Sequence, residues 1–103
     1  MSRREDNHFV FRLIPPRPTF HLDMNDDERA IMREHGDYWE RHTAAGNVVV
    51  YGPVVDPEGS WGLGVIKSGN EAQARSMLER DPAIATRLAT FKLGTMPVAV
   101  LPD

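Results

Sequence analysis

REHGDYWERHTAAGNVVVYGP, residues 33–53, decides how the rest of the chain is read. Its first half has the spacing of the later turns of an amphipathic helix that Gly46 ends. Its second half, Asn47 to Pro53, reads as a strand stopped by a Gly-Pro pair. Ile31, His35, Tyr38, His42 and Ala45 follow the i, i+4, i+7, i+11, i+14 rhythm of one helix face. An imidazole on the face that meets a sheet needs a hydrogen-bonding partner. The search for function is therefore a search for the partner of His35.

Upstream, Asn25 is a good helix cap, and Glu28 three residues later completes a capping-box pattern. Asp26, Asp27 and Glu28 then sit at the positive end of the helix dipole, which gives the acidic run a structural role. The helix is predicted over Asp26 to Ala45. Gly36 interrupts it, either as a tolerated defect or where something approaches the backbone closely. Before it, Phe9, Phe11 and Leu13 alternate with His8, Val10, Arg12 and Ile14, predicting a strand over 8–14 with one apolar face and one mixed face. Prolines 15, 16 and 18 forbid that strand from continuing. The stiff connection they make, with Arg17 and Phe20, either walls a pocket or merely leads to the helix.

Downstream, NVVVYGPVV and SWGLGVIK flank Asp56-Pro57-Glu58-Gly59, the signature of a type I hairpin turn. Simple alternation puts Val48 and Val50 on one face and Val49 and Tyr51 on the other, so this strand is apolar on both sides. A single helical layer covers one side, and a second copy of the chain is the expected cover for the other. Ser68-Gly69-Asn70-Glu71 has the form of a Ser-x-x-Glu capping box opening a second helix. Ala74, Met77 and Leu78 form its inner stripe, and Asp81 continues that face up to the break at Pro82. A short turn over 83–88 and an irregular strand over 90–100 follow. The order β-α-β-β-α-β predicts a ferredoxin-like α+β fold with an antiparallel sheet, as one domain over residues 1–103.

Composition narrows the function classes. The formal charge of −3, with Arg3-Arg4 as the one basic cluster, argues against nucleic acid or an anionic membrane surface as partner. No apolar run approaches the ~20 residues of a membrane span, and the N-terminal MSRREDNH has no signal-peptide character. The lack of cysteine removes disulfides, thiolate nucleophiles and Cys-based metal sites, and fits a cytoplasmic location. His35 and His42 lie about 10.5 Å apart along a helix, too far to share an ion, and no HExxH pattern exists, so no metal is expected. His21 with Asp23 reads as a surface-loop pair. Ser60 and Ser76 lack a nucleophile elbow. Trp39, Trp61 and Tyr38 read as core or interface rather than as a cofactor box.

Several of these pieces occur together in a known order. The helical His35-x-x-Tyr38, the following Gly46, Tyr51-Gly52-Pro53 at a strand end, and Glu71-Ala72 with Asp81-Pro82 closing the second helix resemble the YCII-related family. That family belongs to the dimeric α+β barrel group, and the similarity runs from Phe9 to about Pro97. The resemblance implies a ferredoxin-like protomer, a homodimer and a pocket with a paired His and Asp, matched here by His35 and Asp81. Some related enzymes remove halide from, or rearrange, small oxygenated aromatics. The proline-rich first connection departs from the family pattern.

The chemistry of such a pair is self-sufficient. A carboxylate on Nδ1–H holds one tautomer, and Nε2 is then free to take a proton from a substrate, without metal or organic cofactor. The expectation is a cofactor-independent enzyme acting on a small molecule by lyase- or isomerase-type proton transfer, including dehalogenation of a hydroxyaromatic. His35 and Asp81 are the candidate catalytic residues. Tyr38, Tyr51, Gly52, Pro53 and Arg12 are the candidate substrate contacts. Two alternatives stand beside it: a non-catalytic metabolite-binding module, and a cofactor-free monooxygenase. The structural readings also stand: Asp81 as a helix cap before Pro82, and His35 as a satisfied buried histidine.

Overall fold

A computed structural model describes residues 1–102. Four strands, β1 (Ser2–Ile14), β2 (Val48–Asp56), β3 (Gly59–Lys67) and β4 (Thr90–Leu101), form one antiparallel sheet in the order β2-β3-β1-β4. Helices α1 (Phe20–Asp23), α2 (Asp26–Ala44), α3 (Glu71–Glu79) and α4 (Pro82–Ala85) complete the chain. With α2 and α3 as its two main helices this is the βαββαβ arrangement of the ferredoxin-like α+β class.

Local chemistry explains most boundaries. Asn25 accepts from Glu28 N–H at 2.8 Å, and the Glu28 side chain accepts from Asn25 N–H at 2.9 Å, so the capping box forms in full. At the other end Gly46 has φ +85°, and Gly46 N–H and Asn47 N–H bond Thr43 O and His42 O. That is a Schellman closure, which needs a residue tolerant of the left-handed region. Nothing lies within 4 Å of a Cβ placed on Gly36, so no neighbour approaches there and the glycine is a tolerated defect.

Three sequence expectations change. The first strand begins at Ser2 rather than His8, because β4 pairs with residues 2–5 and supplies a ladder that the polar Ser2–Asn7 run does not advertise. Pro97 falls opposite the bulge between Glu5 and His8, where its missing N–H is not called upon. In β2 a bulge between Val48 and Val50 puts Val48 and Tyr51 on the helix-covered face and Val50 on the other. The second long helix is capped by Asn70, which accepts from Gln73 N–H at 2.8 Å, and not by Ser68, whose N–H still bonds Asn7 O.

The core lies between the sheet and the helices. Phe9, Phe11, Val48 and Ile66 from the sheet meet Trp39, Ala74 and Leu78 from the helices. Phe11 stacks on Trp39 with centroids 4.8 Å apart. Its ring lies across Gly64, where a Cβ would come within 2.0 Å of a ring atom. Gly64 thus buys the space that seats the Phe11–Trp39 stack. Leu13 extends this core toward Ala83 and Ala89. The opposite sheet face carries Val10, Arg12, Val50, Trp61, Leu63 and Val65, and among the described residues no helix covers it. Among the described residues, no helix is long and apolar enough to cross a membrane.

Candidate active site

Two helix ends and one helix middle meet at Asp81. The chain leaves α3 through Arg80, turns, and enters α4 with Pro82 in the first helical turn, so Asp81 is the cap residue of α4. Its Oδ1 accepts from Ala83 N–H at 2.9 Å and its Oδ2 from Trp39 Nε1–H at 2.7 Å. Against both oxygens lies His35 Nδ1, 2.7 Å from Oδ2 and 3.0 Å from Oδ1. Asp81 is fully buried, while the His35 side chain keeps 16% of its surface exposed. The capping role and the histidine contact are therefore two uses of one carboxylate.

The tautomer of His35 follows from the partner. A carboxylate only accepts, so the hydrogen sits on Nδ1, and in the neutral ring Nε2 carries the lone pair. Nε2 has no hydrogen-bond partner among the described residues, where no buried side-chain nitrogen or oxygen lacks one. Nε2 is thus accessible from outside the protein. His35 belongs to the wall of a cavity of about 350 Å³, within the ~300–1,000 Å³ range of small-molecule sites. Tyr51, Gly52 and Pro53 line that cavity with His35, as do Phe11, Phe20, Met24 and Met32.

Tyr38 and Arg12, the other two candidate contacts, lie elsewhere. The Tyr38 hydroxyl donates to Met77 O at 2.6 Å, and its ring stands edge-on to His42 along a separate groove between α2 and α3. Burial pushes the Tyr38 phenol above its usual range, with the Asp81 charge adding to it. The reason is helical phase: Tyr38 is about 60° around the helix from His35 and about 100° from Trp39, the two residues of that helix that face Asp81. Arg12 is on the uncovered sheet face, its guanidinium 4.3 Å over the Trp61 ring. Strand alternation separates it from Phe11 and Leu13, whose side chains reach the cavity side.

Sequence reasoning missed other members. Trp39, read as core, is core and also the second donor to Asp81; its place four residues after His35 on one helix face was the available signal. His21 lines the cavity rather than pairing with Asp23, whose carboxylate is taken by Arg17 and Thr19. The proline-rich connection proves to be a cavity wall through Pro15, Phe20, His21 and Met24. Among the described residues, no three His, Cys, Asp or Glu side chains converge as a metal site would need.

Arg17 secures that wall. It donates to both Glu28 oxygens at 2.8 and 2.9 Å and to Asp23 Oδ1 at 2.7 Å. The Arg17 guanidinium, aided by Asn25 N–H, holds the Glu28 carboxyl down to about 2. Asp23 is lowered too, by the Thr19 hydroxyl first and Arg17 second. A carboxyl depressed in the folded state contributes stability above its ordinary range, near 4.5 for Glu28, and loses it as pH falls toward about 2. Comparison of Glu28→Gln with the parent by thermal unfolding should therefore show a deficit at pH 6 that closes by pH 2. A deficit independent of pH would assign Glu28 a role other than this ion pair. Because Arg17 keeps 35% of its side-chain surface exposed, 1 M salt should also shrink the deficit.

The fold and the site together define a class: a ferredoxin-like α+β protomer in which a carboxylate-held histidine opens onto an apolar cavity. A sequence model of the YCII-related domain matches residues 9–92, and the chain belongs to that family, a family of dimeric α+β barrels. No curated protein sequence matches the chain.

Proposed function

We propose that the cavity is the active site of a cofactor-independent enzyme in which His35 moves a proton on a small molecule and Asp81 orients and stabilises the ring. The observation that carries this is the contact of His35 Nδ1 with a fully buried carboxylate, while Nε2 has no partner among the described residues and His35 lines the cavity. A fully buried structural histidine would have both nitrogens satisfied by protein or ordered water. In the reaction Nε2 takes a proton from a carbon or hydroxyl of the substrate, and Asp81 remains ionised beside the imidazolium. The electron pair left behind expels a halide or shifts a double bond. The same imidazolium returns the proton where the product needs one.

The experiment is turnover of halogenated hydroxyaromatics and lactones in the presence of a chelator, by wild type and by His35→Asn. Halide release or lactone isomerisation by wild type, lost in the variant, is the expected result. Binding without turnover in both proteins would instead make the chain a metabolite-binding module.

The protomer is proposed to work as a homodimer. Val50, 54% exposed, lies with Val10, Leu63, Trp61 and Val65 on a sheet face that no helix covers. Burial of that face against a second copy would remove the apolar surface from water. Light scattering at micromolar concentration should give twice the 11.6 kDa chain mass. A monomer at that concentration would remove the dimer from the proposal.

A further inference from the structure

We propose that Phe20, held by Arg17, decides which molecules the cavity accepts, limiting them to uncharged compounds of about one ring. This rests on the cavity being a small-molecule site, though not on its turnover. The Pro15–Met24 connection is no loose lid. Arg17 ties it to α2 through Glu28 and to its own far end through Asp23, whose main-chain oxygen accepts a further bond at 2.9 Å. The guanidinium stands 5.3 Å from the Phe20 ring. On the other side Pro18 O accepts from Ser60 N–H at 3.3 Å. Gly59 makes that approach possible: a Cβ there would come within 2.6 Å of Pro18 O.

Phe20 is thus fixed between α2 and the β2–β3 hairpin, 5% exposed, with the cavity on one side of it. At about 350 Å³ the space is at the small end for ligand sites, and Phe20 forms part of its wall. The polar side chains at the wall include those of His21, His35, Tyr51 and Ser60, and among the described residues no Lys, Arg, Asp or Glu lines it. A phosphate or sulfonate would be desolvated there without a fixed countercharge, whereas a hydroxyl or carbonyl finds donors and acceptors.

The test is calorimetric binding of 3-chlorophenol, 1-naphthol and phenyl phosphate to the full chain at pH 7. Wild type should bind 3-chlorophenol at least tenfold tighter than either of the others. Phe20→Ala should shift the chlorophenol-to-naphthol ratio at least tenfold toward naphthol. Phe20→Trp, which adds contact rather than removing it, should weaken naphthol further in a protein that stays folded. Arg17→Met should move the ratio in the direction of Phe20→Ala, as a positioning residue would, while Arg17→Lys restores part of the preference. An unchanged ratio in both Phe20 variants, phenyl phosphate binding as tightly as the phenol, or no binding of any probe at millimolar concentration would each overturn the proposal. Because the readout is binding, loss of the acid/base role of His35 would leave the inference standing.

Discussion

Asp81→Ala is expected to lower stability by about 3–5 kcal/mol, the usual effect of removing one partner from a buried charged network. The carboxylate receives Trp39 Nε1–H and Ala83 N–H in the interior, as well as His35 Nδ1. Truncation leaves the first two donors buried without an acceptor, at ~1–3 kcal/mol each. His35 loses less, since its ring can turn toward the cavity. Against a total of roughly 5–15 kcal/mol for a domain, such a loss is large, and the melting temperature should fall by more than roughly 10 °C. Asp81→Asn should fall between, because its amide oxygen still serves one or two donors while its NH₂ opposes another. Urea denaturation of the three proteins reads this directly. If Asp81→Ala unfolds within about half a kcal/mol of wild type, Asp81 does not organise this end of the core.

His35→Asn should do the opposite: little to stability, much to turnover. Asp81 keeps Trp39 and Ala83 as donors in this variant, so no buried group is abandoned. The asparagine removes the imidazole whose Nδ1 Asp81 holds. Loss of a positioned acid/base group lowers rates by roughly 10²–10⁴-fold. The fall should appear in kcat, with KM and the binding of a single-ring phenol nearly unchanged, because the contacts with Phe11, Phe20 and Met32 persist. Retention of activity within tenfold would take His35 out of the mechanism. The contrast between the two variants separates the two proposed roles, one of holding the site and one of acting in it.

Much of this arrangement was legible along the chain because the signals are local. Asn25 and Glu28 are three residues apart, and their reciprocal bonds need only one turn of helix. Gly46 closes α2 through backbone geometry that its own sequence position permits. The alternation of Phe9, Phe11 and Leu13 marked the buried face of β1, and all three are buried. Local signals also misled where a neighbour in space intervened. Ser68 has the chemistry of a cap, but its N–H is engaged with Asn7, so the helix starts later at Asn70. Val48 and Val50 obey strict alternation in sequence, yet a bulge rotates one past the other. The polar Ser2–Asn7 run shows no strand period, and its pairing partner is some ninety residues away.

The sequence by itself determined the order of the main elements, the cap of the long helix at Asn25, the hairpin and the side of the helix on which His35 falls. These depend on contacts one to four residues long, which composition and spacing encode. Only the tertiary structure decided that His35 and Asp81, 46 residues apart, meet on both carboxylate oxygens, and that Trp39 shares that carboxylate. It alone also put Phe20 at the cavity and carried Tyr38 and Arg12 away from it. The physical reason is that distances between elements are set by packing, where helix rotation by one residue or a single bulge re-aims every side chain that follows.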